Sequence, residues 1–145
     1  MIPFRSPYSL IQEDLFPDEW KCFVACLMLN CTTRKQVEKI LPTFFGRWPN
    51  PKAFLQANKS NVERLISPLG FGKRRTQRLF EMTSKYAGGE WKHASELPGV
   101  GEYASRSWEI FFQNKLGDDL PNDGALALYW KWAKGTKNCV KNHKI

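Results

Sequence analysis

The stretch Leu97-Pro98-Gly99-Val100-Gly101-Glu102-Tyr103-Ala104 places two glycines two positions apart, directly before a run with helical periodicity. Glycine permits backbone conformations that other residues avoid, and it lets a partner come close to the chain. The free N–H groups of the helix that follows would point outward, and such amides bind anions. The stretch therefore predicts a phosphate-gripping turn between two short helical segments, although a Gly-x-Gly alone is more often a plain connection.

Outward from this turn, apolar residues recur at helical spacing along nearly the whole chain, and no alternating strand pattern stands out. Pro42 lies inside one predicted helix and should kink it or end it early. The predicted helix starts are Pro17, Thr32 or Thr33, Asn50-Pro51, Ser60, about Lys73 after the turn Gly70-Phe71-Gly72, Ser95, and Asp123. The fold class predicted from this pattern is all-α.

The length of 145 residues fits one domain, predicted here as residues 1–134. Residues 135–145 are Lys-rich and are expected to form a basic C-terminal tail, whose composition is compatible with disorder. The N-terminal residues lack the apolar core of a signal peptide, and no apolar run reaches the length of a membrane span. A soluble, intracellular protein without a membrane partner is expected.

The charge balance favours a polyanionic partner. Lysine and arginine number 22 against 14 acidic residues, which gives a formal net charge of +8 and a pI near 9.5. Nucleic acid is the commonest partner for a surface of this kind. A merely solvated basic surface fits the charge equally well, so charge alone does not decide.

The cysteines do not predict a metal centre. Cys22 and Cys26 stand four apart on an apolar helix, where small thiols pack well, and Cys139 stands alone near the C-terminus. Zinc would need converging partners, but the two histidines, His93 and His143, lie far along the chain. Neither a zinc site nor an iron–sulfur cluster is therefore expected.

Read with its surroundings, the opening stretch resembles the helix-hairpin-helix signature. Asp123 follows twenty positions after Tyr103, directly behind Leu120-Pro121-Asn122. This order and spacing is typical of the helix-hairpin-helix–Gly/Pro/Asp DNA glycosylase superfamily. Within it, the chain is similar to the thymine glycosylase domain of methyl-CpG-binding-domain repair proteins. The matching residues are Ser9-Leu10-Ile11-Gln12-Glu13-Asp14-Leu15-Phe16, Trp20-Lys21, Leu29-Asn30, Pro68-Leu69-Gly70, Tyr129 and Trp132.

The resemblance implies a two-lobed helical fold with a cleft between the lobes. It implies a base excision repair enzyme that flips thymine or uracil, or a related pyrimidine, mispaired with guanine out of double-stranded DNA and removes it. It further implies a monomer in the nucleus that needs no metal and no cofactor, apart from a possible structural monovalent cation at the hairpin.

Asp123 and Tyr103 are the predicted catalytic residues. Cleavage of a glycosidic bond builds positive charge on the sugar, which a fixed carboxylate stabilises while it accepts a proton from water. Taken alone, Asp123 would be an ordinary helix cap; the resemblance favours catalysis. Tyr103 stands where superfamily members that also nick the strand carry lysine, and a phenol cannot form a Schiff base. A monofunctional enzyme is therefore predicted.

The remaining predicted contacts are with the base and the DNA. By resemblance, Gln12 reads the flipped pyrimidine with its amide donor and acceptor, and the backbone of Ile11 adds a contact. Phe71, beside Gly70, is predicted to fill the gap left by the extruded base, although a core aromatic fits nearly as well. Phosphate contacts are predicted for Lys73, Arg74, Arg75 and Arg78. DNA contacts are predicted for Gly70 and for the hairpin residues Leu97, Gly99, Val100 and Gly101.

Two positions depart from the family pattern and leave alternatives open. Cys31 replaces an arginine that the family inserts into the duplex, and Gly124-Ala125 replaces a His-Lys pair after the aspartate. These losses should weaken DNA contact or change how the opposite strand is held. The alternatives are a non-catalytic helix-hairpin-helix DNA-binding module, or a glycosylase of different base specificity, such as one for adenine opposite oxidised guanine.

Overall fold

A computed structural model describes the backbone of residues 5–143 and the side chains of residues 5–135, and no strand occurs among them. This confirms the all-α prediction. The α-helices are α1 (Ile11–Leu15), α2 (Glu19–Leu29), α3 (Arg34–Arg47), α4 (Pro51–Leu55), α5 (Lys59–Ile66), α6 (Gly72–Gly88), α7 (Glu102–Phe112) and α8 (Gly124–His143). Two 3-10 turns, Ser67–Leu69 and Ala94–Glu96, precede α6 and the hairpin.

Side-chain caps define where several helices begin. Asp18 accepts a hydrogen bond from the backbone N–H of Lys21 at 2.9 Å, so α2 starts just after the predicted Pro17. Thr33 caps α3, as its sequence position predicts. The start predicted at Ser60 is wrong, because Asn58 accepts from the N–H of Ser60 at 2.8 Å and α5 begins at Lys59.

Pro42 does not end α3, which continues to Arg47. The expectation of an early end is wrong for a physical reason. Proline lacks the N–H that would bond the carbonyl four residues earlier, here that of Glu38. Pro42 and Glu38 both lie on the exposed side of the helix, where water can satisfy that carbonyl.

Two hydrophobic cores divide the fold into the expected two lobes. The larger core gathers buried side chains from α2 to α7, with Trp20, Phe23, Phe44 and Phe54 at most 2% exposed. The smaller core consists of Leu10, Ile110, Phe111, Leu126 and Tyr129. Tyr103 packs against both cores. Helix α7 therefore serves both lobes, and a cleft opens beside its first turn.

The segment before α1 is anchored by one carboxylate. Glu13 is 8% exposed and accepts hydrogen bonds from the N–H and hydroxyl of Ser6 and from the N–H of Leu10. Three donors on one carboxylate fix the entry of α1, which carries Ile11 and Gln12 toward the cleft.

None of the helices within the described residues is long and apolar enough to cross a membrane. The boundary predicted at residue 135 between domain and tail falls within α8, and that division stays a prediction.

Candidate active site

The cleft between the lobes holds about 560 Å³ and brings together the predicted catalytic and base-binding residues. Asp123, Tyr103, Gln12 and Ile11 all line it, although they come from the start of α8, the start of α7 and the first turn of α1. A space of this size can admit a nucleoside. The hairpin glycines Gly99 and Gly101 form part of the same wall.

Asp123 is exposed at the mouth of this cleft, immediately before α8. Its Oδ2 atom accepts a hydrogen bond from the N–H of Leu126 at 3.0 Å, and its carbonyl accepts from the N–H of Ala127 at 2.8 Å. The residue thus caps the helix and faces the cleft at once, so the two interpretations of the sequence are compatible. The cap fixes one carboxylate oxygen and leaves the other for chemistry.

The loop that delivers Asp123 is held by two side chains that sequence reasoning missed. Arg106 donates to the carbonyl of Leu116 at 2.8 Å and to that of Asp119. The indole N–H of Trp130 donates to the same Leu116 carbonyl at 2.9 Å. Arg106 lies three residues after Tyr103 on α7, and this spacing along one helix face is the signal that points to it.

Gln12 is 2% exposed and its amide is engaged inside the protein. The nitrogen Nε2 donates to the hydroxyl of Tyr103 at 2.6 Å and to that of Ser107 at 2.9 Å. A solvent-facing position is therefore excluded. The prediction that the amide offers a base both a donor and an acceptor needs correction, since both N–H groups have partners and the carbonyl oxygen is left.

Burial keeps the phenol and the nearby thiol neutral. Burial raises the pKa of Tyr103 well above its ordinary value, and the neighbouring Cys26 and Asp123 add to the rise. Burial likewise raises the pKa of the Cys26 thiol to about 12. Because Tyr103 keeps its proton and accepts from Gln12, it still has an O–H that can donate.

The hairpin is anchored by two apolar side chains and turned by one glycine. Leu97 is 2% and Val100 9% exposed, and the N–H of Val100 donates to the Leu97 carbonyl at 3.1 Å. Gly99 has a φ of +80°, and a Cβ there would lie 3.2 Å from the side chain of Leu27, so only glycine fits. Gly101 has a φ of −93°, so the special conformation predicted for it is wrong. No atom lies within 4 Å of the position that a Cβ would take at Gly101, so a binding partner could approach the backbone closely there.

A second groove of about 570 Å³ adjoins the cleft and is lined by several of the predicted DNA-contacting residues, including Phe71, Arg74 and Arg78. Phe71 is 69% exposed and has a φ of +52°, so it is not a core aromatic. Gly70, with a φ of +82°, makes the turn before it. Lys73 and Arg74 are exposed at the start of α6, and Arg74 lines the groove. This surface, here called the rim, comprises Phe71, Lys73, Arg74 and Arg78.

Arg75 does not belong to the phosphate-facing group in which the sequence placed it. Its Nε donates to the carbonyl of Gly70 at 2.8 Å, and its other nitrogens donate to the carbonyls of Leu27, Met28, Asn30 and Leu69. Burial lowers the pKa of this guanidinium, and the nearby Cys31 opposes the shift. Arg75 therefore ties the end of α2 to the turn that presents Phe71.

The positions that depart from the family pattern also lie at the cleft. Cys31 lines both grooves, with a φ of +60°, and Ala125 lines the cleft behind Asp123. No lysine is among the described residues that line the cleft. Among the side chains of residues 5–135, no group of three or more His, Cys, Asp and Glu stands close enough to hold a metal ion.

A family model described as HhH-GPD superfamily base excision DNA repair protein matches residues 24–141. The chain belongs to this superfamily. The matched range contains the hairpin, Tyr103 and Asp123, and the predicted membership is thereby confirmed.

Several curated proteins are similar to this chain over long stretches. A methyl-CpG-binding domain protein 4-like protein of Arabidopsis thaliana is 34% identical over 133 residues, which is 92% of the chain. A thymine-DNA glycosylase of Aeropyrum pernix is 38% identical over 93 residues, or 59% of the chain. A thymine/uracil-DNA glycosylase of Pyrobaculum aerophilum is 34% identical over 95 residues, or 61%. The chain spans between 30% and 42% of the length of these relatives.

Solved structures share the fold. A thermostable thymine-DNA glycosylase aligns with a TM-score of 0.63 at 22% identity, covering 81% of this chain and 56% of that one. An endonuclease III in a non-covalent DNA complex aligns with a TM-score of 0.58 at 18% identity, covering 70% of this chain and 56% of the other. At these identities the likeness supports the two-lobed helical fold alone.

Proposed function

We propose that this protein is a monofunctional DNA glycosylase that flips thymine or uracil, or a related pyrimidine, mispaired with guanine out of the duplex and removes it by hydrolysis. The observation that carries the proposal is the convergence of Asp123, Tyr103 and Gln12 on one cleft beside the hairpin. Family membership and the names of the relatives, which include thymine-DNA and thymine/uracil-DNA glycosylases, support the same reaction.

Asp123 would supply the chemistry. As the glycosidic bond breaks, positive charge develops on the sugar, and a carboxylate fixed by the first turn of α8 stabilises it. The oxygen that the cap leaves free can take a proton from the attacking water. The products are the free base and an abasic site in an intact strand.

The absence of strand cleavage follows from which nucleophiles reach the cleft. A lyase step needs an amine that forms a Schiff base with the sugar. Tyr103 and the other described residues that line the cleft offer no lysine amine, and the phenol of Tyr103 is held by Gln12. The monofunctional assignment rests on this lining.

Double-stranded DNA would lie along the rim and the hairpin. Phe71, which is exposed on its turn, would fill the space of an extruded base, while Lys73 and Arg74 would meet phosphates. The amides at the start of α7 beside Gly101 face a phosphate on the same strand. We further propose a monomer that needs no cofactor for catalysis, with at most a structural monovalent cation at the hairpin. A nuclear location rests on the resemblance alone.

The test is a duplex oligonucleotide with one G·U or G·T pair, incubated with the protein and analysed with and without alkali. We expect strand breakage only after alkali, at the mispaired pyrimidine. Asp123→Asn should lower the single-turnover rate by at least about 100-fold, because the charge is lost while the helix cap is kept. Asp118→Asn, an exposed aspartate on the same loop, is the matched control and should cut at the wild-type rate.

Three results would contradict the proposal. Breakage without alkali would reveal lyase activity. Salt-sensitive duplex binding that ignores mispairs, with no cleavage, would identify the non-catalytic module. Cleavage of other lesions in a panel, such as adenine opposite oxidised guanine, but not of G·U or G·T would assign a different base specificity.

A further inference from the structure

The amide nitrogen of Gln12 lies among polar atoms from two other helices. Tyr103 Oη is 2.6 Å away, Ser107 Oγ 2.9 Å and Cys26 Sγ 4.0 Å. Ser107 is 3% exposed and stands four residues after Tyr103, on the same face of α7. An amide has two N–H donors and one carbonyl acceptor. With both donors engaged by Tyr103 and Ser107, the carbonyl oxygen of Gln12 is the atom of this amide that can meet a base.

The direction of the bond between Gln12 and Ser107 depends on where the Ser107 proton points, since a hydroxyl can donate or accept. In the structure Gln12 is the donor, so a lone pair of the Ser107 oxygen accepts from its N–H. The sulfur of Cys26 lies 4.0 Å from the same nitrogen, and burial keeps its thiol protonated by raising its pKa. The acceptors on Tyr103, Ser107 and Cys26 thus hold the amide nitrogen inward.

We propose that Ser107 is a positioning residue that fixes the orientation of the Gln12 amide and so restricts the cleft to bases with a proton on N3. This inference rests on the proposed function and deepens it. Uracil and thymine present N3–H beside a carbonyl oxygen. The N3–H can donate to the Gln12 carbonyl while the base carbonyl accepts from the Tyr103 hydroxyl.

Cytosine is rejected by the same arrangement. Its N3 carries no proton and would face the Gln12 carbonyl, so two acceptors would oppose each other without water to separate them. If the amide could turn over, its N–H would meet N3 of cytosine and the barrier would fall. The ratio of cleavage rates for bases with and without a proton on N3 therefore measures how firmly Ser107 holds the amide.

The experiment compares duplexes that contain 5-fluorouracil or 5-fluorocytosine opposite guanine. Fluorine makes both bases better leaving groups, and the bases differ at N3 and at the adjoining exocyclic group. Wild-type protein is expected to cleave the fluorouracil duplex faster. Ser107→Ala should reduce the ratio of the two single-turnover rates by roughly fivefold or more, the equivalent of one lost hydrogen bond. The cost of flipping each base is the same for every variant and cancels in the comparison.

Matched variants separate positioning from simple loss of structure. Ser105→Ala makes the same change on the same helix, at a residue that is 8% exposed, and should keep the wild-type ratio. Ser107→Cys keeps a group that can donate and accept, and should restore part of the ratio. An equal fall in both rates for Ser107→Ala, or the same ratio change for Ser105→Ala, would overturn the proposal.

A spectroscopic measurement tests the inference without turnover. In isotope-labelled protein, the side-chain amide protons of Gln12, assigned by their loss in Gln12→Ala, should exchange slowly with water. Ser107→Ala should speed exchange of one of them, whereas unchanged exchange would overturn the proposal. If wild type cleaves neither duplex, the proposed function fails. If it cleaves fluorouracil selectively and Ser107→Ala keeps the ratio, only the positioning role fails.

Discussion

The base-reading pocket and the rim are built in opposite ways. In the pocket, Gln12 and Ser107 are at most 3% exposed, and their polar atoms bond one another. On the rim, Phe71 is 69% exposed and Lys73 and Arg74 are likewise exposed. On the proposed function, the pocket is prearranged before DNA arrives, whereas the rim would gain its main contacts only when DNA binds.

The two regions differ in whether their contacts contribute mainly to the free energy of folding or to that of association. A buried polar network contributes to folding as well as to recognition, so its members cannot be changed without cost to stability. Exposed cations contribute to association through salt-dependent phosphate contact and little to folding. Substitutions in the two regions should therefore separate into distinct classes of effect.

The largest effect is expected for Gln12→Ala. Removal of the amide leaves the buried Tyr103 and Ser107 hydroxyls without their donor, which should lower the free energy of unfolding by about 1–3 kcal/mol and also slow cleavage. Arg74→Ala on the rim should change it by less than about 0.5 kcal/mol. Urea unfolding monitored by circular dichroism measures both. Equal stability of the two variants would break the comparison.

The next largest effect is a loss of folding stability at high pH, caused by the buried titratable groups of the pocket. The pKa of Cys26 is raised by burial from 9.0 to about 12, so the unfolded chain loses its proton first as the pH rises. The contribution of this thiol to the free energy of unfolding is fully present below about pH 9. Above that pH it should fall by about 1.4 kcal/mol per pH unit. Burial raises the pKa of Tyr103 too, which adds a loss in the same direction above pH 10.0.

Urea unfolding at a series of pH values measures this slope. Cys26→Ala should make the slope shallower by the share of this one thiol, because burial also raises the pKa of Cys22 and that thiol keeps contributing. Cys31→Ala, which removes an exposed thiol at the mouth of the cleft, should leave the slope unchanged. A stability that stays level from pH 8 to pH 11 would contradict the burial of these groups as neutral species.

Phe71→Gly sharpens the comparison from the side of the rim. Phe71 holds a left-handed backbone conformation at the N-cap of α6, which costs a side-chain-bearing residue roughly 1 kcal/mol and glycine little. The variant should match or exceed wild-type stability by up to about 1 kcal/mol, yet cleave several-fold more slowly for want of a wedge. Phe71→Ala keeps the strain and should slow cleavage without the gain. A fast Phe71→Gly enzyme would exclude the wedge.

The smallest effect is expected for Arg74→Ala in DNA binding. Loss of one phosphate contact should reduce the slope of log affinity against log salt by about 1. Arg64→Ala, an exposed arginine on α5 that lines neither groove, is the control and should leave the slope unchanged. Fluorescence anisotropy across a salt series measures it, and equal slopes for the two variants would remove Arg74 from the interface.

Local sequence patterns predicted the fold well because they report local physics. Helical periodicity and the cap at Thr33 act over a few residues, and the structure agrees with them. The hairpin and Asp123 were joined by family spacing, not by periodicity, and they share one cleft. Pro42 shows the limit of local prediction. Its effect on α3 depends on which face of the helix is exposed to water, and the neighbouring sequence alone does not determine that face.

The parts of the site that escaped prediction depend on tertiary contact. In the sequence, Arg75 is one of several cations in a basic run. In the structure, its guanidinium donates hydrogen bonds to backbone carbonyls of two segments. Ser107 and Cys26 look like small residues on apolar helices, and their polar role appears only when α2 and α7 pack beside Gln12. The available signal in the sequence was spacing: Ser107 follows Tyr103 by four residues, and Cys26 follows Cys22 by four, which places each pair on one helix face.

Arg75 makes the spacing between two loops depend on a single planar group. Its donors reach carbonyls at the end of α2 and in the turn before Phe71, so the distance between these two segments at the second groove depends on one guanidinium. Lysine, with one compact ammonium, cannot bridge acceptors that far apart. Insertions in either loop would be tolerated only while that bridge survives, and groove width should therefore drift less during evolution than the amino acids that line it.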